Sequence, residues 1–284
     1  MSAAGLITIK RRIKSVTNTH KITKAMGLVA TSKLRKSRAK LGVNIKYSEA
    51  FDEIMNSLLL NISKHNIYQN GNSSVKKLYV SLTSEAGLCG GYNATVNNET
   101  FEAIKKDKQN SELMIVGQKG KVFFKKHQFE TVAEYLDIPD VPGLEDAKRV
   151  IAHALSMYKN GEIGEIHVVI TKFISQVKQI VQIEKLLPLP YYEEDTLVND
   201  YIKFEPEANE ILEGVVESYM KGKMLNFMLN SKCSEQAARM TAMDGATKNA
   251  DELLDKLKLQ YNRIRQGAIT QEISEIVGGA EAQK

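Results

Sequence analysis

Residues 1–138 and 207–284 of this 284-residue chain contain no proline, and each stretch holds a long run that repeats apolar residues every three and four positions. No other feature restricts the possible folds as much. From Leu6 the repeat runs through Ile9, Ile13, Val16, His20, Thr23, Gly27, Ala30, Leu34, Ser37 and Leu41 to Ile62, with eleven of seventeen positions apolar. From Leu212 it runs through Val215, Tyr219, Gly222, Asn226, Leu229, Cys233, Gln236, Met240 and Met243 to Ala268, with thirteen of seventeen apolar. Heptad-spaced seams without a helix breaker predict two long helices. At 1.5 Å per residue they would run roughly 80–100 Å, about three times the width of a small domain, so neither can bury its seam on a compact core. Winding them around each other buries both. The segment between them then has to return the chain at one end, which makes the pair antiparallel. Pro206, with Glu207 and Glu210 behind it, marks the start of the second helix. Gly278 and Gly279 are expected to stop it.

The middle segment has a different period. KKLYVSL, ELMIVGQ and EIHVVITKF are short β-rich runs, separated by the helical patterns ATVNNETFEAIKK, KVFFKKHQF and GLEDAKRVIAHALSMYK. This alternation predicts a small parallel sheet, with QVKQIVQIEKL returning as a hairpin at its edge. NGNSS at 70–74 and LPLPYYEEDTLVND at 187–200 read as the joints. The expected architecture is therefore α+β overall: a long antiparallel two-helix coiled coil plus a small Rossmann-like α/β domain. Its parts are an N-terminal helix over 1–70, a base domain over 75–190 and a C-terminal helix over 207–284.

The charge is unevenly placed. Residues 1–48 hold twelve basic side chains and no acid, whereas the remainder has 27 basic against 34 acidic. A basic, acid-free start is also the composition of a transit peptide, but the seam runs straight through it and assigns it to the helix. The facing stretch, 244–275, has six acids against five bases, so it does not offset the excess. That excess is expected to meet solvent or an acidic partner. Nucleic acid is the weaker reading, because this helix has no aromatic side chain before Tyr47 to stack on bases.

Two cysteines, Cys89 and Cys233, make neither a disulfide framework nor a four-ligand site, and no two of the five histidines sit three or four residues apart. Runs such as IHVVITKFI are broken by lysine and too short to span a bilayer, so any tie to a membrane is expected through partners. EAGLCGGYN, residues 85–93, sits where phosphate loops occur, between strand and helix. It lacks GxxxxGK[ST], since Tyr92 and Asn93 follow Gly91, and it lacks GxGxxG. A tight turn with Asn93 as the helix N-cap is the expected role, with a nucleotide-binding enzyme as the alternative. Glu193, Glu194 and Asp195 cluster in a joint and suggest a solvated loop. No catalytic residues, metal ligands or cofactor are expected.

IKRRIKSVTNTHKITKAMGLVATSKLRKSRA, LTSEAGLCGGYN and the run from ARMTAMDGATKNADELL to ITQEISEIVGGAEA together resemble, in order, the gamma subunit of F-type ATP synthases. The resemblance covers the chain essentially end to end. It implies a non-catalytic central-stalk rotor that couples proton-driven rotation to the catalytic beta subunits. The partners it implies are the alpha/beta ring, the epsilon subunit and the membrane ring of c subunits. It further implies that Arg265 and Gln266 hydrogen-bond an acidic catch loop of beta. Thr270, Gln271 and Glu272 adjoin that contact, and Ile269, Ile273, Ile276 and Val277 turn in a hydrophobic sleeve. Met26, with Lys21, Lys24 and Lys33, would pass the acidic lever of beta. Gly87, Gly90 and Gly91 would be a structural turn. The location implied is the cytoplasmic face of a bacterial membrane, or the matrix face of a mitochondrial one; the helix starting directly after Met1 favours the first.

Overall fold

The computed structural model describes residues 3–62, 66–189 and 204–281. The Glu193–Asp195 cluster and most of the second joint lie outside them. The chain forms two compact units, Met1–Val29 with Met240–Lys284, and Ala30–Arg239. Two helices, α1 (Ala3–Leu60) and α6 (Ala208–Glu281), contribute to both. Every described position of the two sequence seams is buried or partly buried.

In the first unit α1 and α6 run antiparallel. His20 meets Asp251 at 3.0 Å, the Thr23 and Thr247 hydroxyls lie 2.8 Å apart, and Gly27 faces Met243. The small and polar middle of the α1 seam, which carries little burial on its own, is thus matched by polar and flexible partners. Thr23 also donates to the His20 carbonyl, so its buried hydroxyl is not stranded. Apolar packing comes from Ile9, Met243, Ala250, Leu254 and Leu257, all buried.

The second unit is built on a five-stranded sheet of order β3-β2-β1-β4-β5. Strands β1 (Lys77–Leu82), β2 (Ser111–Val116), β3 (Ala133–Tyr135) and β4 (Glu165–Phe173) are parallel; β5 (Gln179–Leu187) returns antiparallel on β4. Crossovers run through α3 (Tyr92–Lys105), α4 (Gln118–Lys126) and α5 (Leu144–Lys159). Near-continuous burial along β1, β2 and β4 is what covering both faces of a parallel sheet requires. One face packs Tyr79, Leu113, Ile115 and Val169 against Tyr92, Val96, Ile104 and Phe124. The α5 side buries Val150, Ile151, Ala154 and Tyr158 completely. In this unit too α1 and α6 are antiparallel: Asp52 accepts from Tyr219 at 2.6 Å and Lys223 at 2.7 Å, and Tyr47 lies over Gly222.

Several sequence expectations are corrected. Strand β3 is not expected from the sequence, because three residues interrupted by Glu134 show no period. Helix α1 stops at Leu60, and a separate short helix, α2 (Ile67–Asn70), follows with Asn66 capping it through hydrogen bonds from the Tyr68 and Gln69 amides. Asn93 is not the N-cap of α3. The helix begins at Tyr92, with Gly91 at the cap position, and the Asn93 side chain reaches back to accept from the Ser84 amide at 3.0 Å and donate to Ser84 Oγ at 2.7 Å. Helix α6 does not stop at Gly278 and Gly279 but runs through to Glu281, since glycine permits a helix stop without imposing one.

Candidate partner interface

By the spacing of the cross-pairs, α6 outruns the described residues of α1 at about Ala268, the last seam position. Every described residue from Ile269 to Ala280 is exposed. Ile269, Ile273, Ile276 and Val277 are exposed by 47, 56, 71 and 53% although four large apolar side chains in one helical stretch would ordinarily be covered. At 100° per residue, Arg265, Ile269, Glu272 and Ile276 fall on one line of the helix, and Gln266, Thr270, Ile273 and Val277 flank it. Gln271 falls on the far side, where it bonds Glu275 at 3.0 Å. Thr270 accepts a hydrogen bond from Ser274 through its carbonyl. The helix therefore presents an apolar ridge with a guanidinium at its root and Glu272 beside it. Among the described residues, Arg265 has no carboxylate partner.

Helix α1 supplies the second surface of this unit. Lys10, Arg11, Arg12, Lys14, Lys21 and Lys24 are all exposed, and among the described residues none pairs with a carboxylate. Met26 is partly buried between Ile22, exposed by 59%, and Val29, exposed by 53%, at helical spacing along the same side. The described part of the unit carries eleven basic against seven acidic side chains, so its surface potential is positive and is screened only beyond about 8–10 Å at ordinary ionic strength.

Lys33 has a partner within the chain. It lies in the second unit, where its ammonium meets Asp140 at 2.8 Å. Lys40 likewise donates to the Pro142 carbonyl at 2.7 Å. Part of the basic stretch is thus engaged within the chain by the loop before α5, Lys33 by a carboxylate and Lys40 by a carbonyl. Neither contact is readable from sequence, since each joins residues more than a hundred positions apart.

The Gly-rich turn lies in the second unit; Cys89 is buried, whereas Ala86, Leu88, Gly90 and Gly91 are exposed. Only Gly90 needs to be glycine for its backbone, at φ 56°. A side chain at Gly91 would meet nothing within 4 Å, and one at Gly87 only the end of Lys119. Leu88 also holds a left-handed φ of 62°. Glu85 accepts from the Gln118 and Ile138 amides, both at 3.2 Å, and so staples the turn to the start of α4 and to the loop after β3. The carbonyls of Ala86 and Gly87 accept from Arg239 at 3.0 and 3.2 Å. A phosphate cradle converges N–H donors, whereas this turn presents carbonyl oxygens to a cation. Sequence reasoning missed Arg239 and its neighbours Glu235 and Lys232, which no motif singles out.

Among the described residues no cluster of three potential metal ligands occurs, and no helix is long and apolar enough to cross a membrane. The chain matches a family model described as ATP synthase over residues 5–283. The ATP synthase gamma chain of Clostridium pasteurianum is 57% identical over 282 residues, covering 99% of this chain and 100% of that one. That of Clostridium botulinum (strain Kyoto / Type A2) is 50% identical over 284 residues, covering 100% of both. Among solved structures, a chain of the Euglena gracilis mitochondrial ATP synthase (OSCP/F1/c-ring, rotational state 3) superposes with a TM-score of 0.74 at 18% identity. It covers 99% of this chain and 95% of its own length. A chain of the Tetrahymena thermophila mitochondrial ATP synthase central stalk/c-ring gives 0.61 at 25% identity, covering 79% and 99%.

Proposed function

The chain belongs to the ATP synthase family, aligned end to end with its gamma chains, and from that premise we propose how its two surfaces do the work of a central-stalk rotor. Rotation of the stalk couples ion flow through the membrane ring to conformational change at the catalytic beta subunits, and the subunit performs no chemistry itself. Its partners are the alpha/beta ring, the epsilon subunit and the ring of c subunits. It is a peripheral part of the complex, reaching the membrane only through those partners; the face it occupies in a bacterial cell is the cytoplasmic one.

The observation that carries the residue assignment is the bare helix beyond Ala268, with its exposed isoleucine ridge. An apolar ridge suits a bearing, because dispersion and hydrophobic contact are non-directional and oppose turning far less than fixed hydrogen bonds would. Arg265 and Gln266 supply the directional contact: a guanidinium fork bonds a carboxylate bidentately in some orientations and loses it in others. Thr270 and Glu272 extend that contact. On α1, Lys21 and Lys24 beside Met26 meet an acidic lever through charge and apolar contact together. Such orientation-dependent free energies are necessary, since a shaft of equal affinity for every state of the ring would shift none of them.

The test replaces Arg265 and Gln266 with alanine and measures ATPase turnover and torque in the reconstituted complex. Turnover or torque should fall while the unfolding temperature of the subunit stays within about a degree or two, as expected for exposed positions. Unchanged turnover with normal assembly would refute the assignment.

A further inference from the structure

Helix α6 buries three ionised side chains within two turns: Lys232, Glu235 and Arg239 are exposed by only 8, 4 and 10%. Glu235 accepts from Lys232 at 3.2 Å through one oxygen and from Arg239 at 2.8 Å through the other. The remaining Arg239 donors reach the Gly-rich turn, at 3.0 Å to the Ala86 carbonyl and at 3.2 and 3.3 Å to that of Gly87. The same stretch of α6 is tied to strand β4. Ser234 donates to the Thr171 carbonyl at 2.9 Å, and Ser231 and Asn230 accept from the Thr171 and Phe173 amides at 3.4 and 3.3 Å.

Adhesion alone does not call for this arrangement. Buried ion pairs add little stability over apolar side chains of similar volume, and their best-attested use is to fix one register among several. Just upstream, α6 buries Met220, Met224 and Met228, flexible side chains that refill a contact after a small slide or turn. Turning α6 by one residue swings the guanidinium through about 100° and strips it of both carbonyls in a buried setting.

We infer that the Lys232–Glu235–Arg239 cluster, docked on the Ala86–Gly87 carbonyls, is a torsional key. It holds the sheet in one rotational register on α6, with Arg239 as a positioning residue for energy coupling. This rests on the shaft reading above: torque passing between the sheet and α6 loads this joint, and the key keeps it from being spent in slippage.

Two measurements test it. In the full-length subunit, Arg239→Lys keeps the charge on Glu235 but lacks the fork, so amide exchange over residues 84–91 should accelerate on the order of tenfold or more. Unchanged exchange overturns the key whether or not the shaft reading holds. In the reconstituted complex, Lys232→Met, Glu235→Met and Arg239→Met together should leave the unfolding temperature equal or higher and ATP hydrolysis intact. Ions translocated per ATP should fall severalfold, and Arg239→Lys should give an intermediate value. Wild-type coupling retained by the triple variant, or a loss of turnover and translocation in equal proportion, overturns the proposal. A wild-type complex that fails to couple would instead overturn the shaft reading.

Discussion

Replacing Ile269, Ile273 and Ile276 together with glutamine separates a ridge that serves the chain's own fold from one that serves a partner. Glutamine is as good a helix former as the residues it replaces, so the helix itself should survive. These isoleucines are exposed by 47, 56 and 71%, which leaves more than half of their combined surface open to be covered by the ring. Full burial of an isoleucine is worth about 1.5–3 kcal/mol, so the uncovered share gives about 1–1.5 kcal/mol each, or at most about 3–4.5 kcal/mol for the three. At 1.4 kcal/mol per decade this corresponds to roughly two to three decades in the stability of the assembled complex. The isolated subunit should lose almost nothing. By contrast Leu254→Ala or Leu257→Ala, at seam positions exposed by only 8 and 4%, should cost the isolated subunit about 2–5 kcal/mol. The assays are thermal unfolding of the isolated subunit and the dissociation rate of the purified complex. A drop in the unfolding temperature for the ridge variant comparable with that of Leu257→Ala would show the ridge packed within the chain. A complex as durable as wild type would show that no partner covers it.

The remaining predictions concern the second unit. Partial burial pushes the Glu165 carboxyl up, but Lys185 at 2.9 Å and His167 at 2.7 Å outweigh it and bring the group to about 2. A depressed folded-state value means that its stabilisation is complete above the ordinary value near 4.5 and is lost as pH falls through about 2. Thermal unfolding followed across that window should fall less steeply for Glu165→Gln than for wild type; parallel curves would remove this pair from the acid response. Burial pushes the Cys233 thiol up to about 12, with Arg38 opposing. At pH 8 it should resist alkylation until the subunit is unfolded, and labelling of the folded chain at the unfolded rate, read by mass spectrometry, would contradict the packing. Gly90→Ala should destabilise by about 1–2 kcal/mol, because it forces a left-handed residue, whereas Gly91→Ala should be nearly neutral in denaturant titration.

A heptad seam is a local signal that repeats often enough to outweigh its weak members, so the two long helices, their antiparallel sense and the faces they bury are legible in the residues alone. The residues also mark β1, β2, β4 and β5 as sheet strands, each bounded by turn residues. The apolar ridge past Ala268 was legible as a pattern, although only the exposure of the described residues from Ile269 to Ala280 shows it uncovered. Tertiary structure decided what depends on residues far apart in the chain. Lys33 finds Asp140, Asn93 turns back to Ser84 and leaves the cap of α3 to Gly91, and β3 exists because β2 offers it an edge. Above all, it gathers Lys232, Glu235 and Arg239, which no sequence motif singles out, into a buried cluster. Charge in a sequence indicates a preference for water, and only the surrounding fold determines whether carbonyls and counter-charges take the water's place.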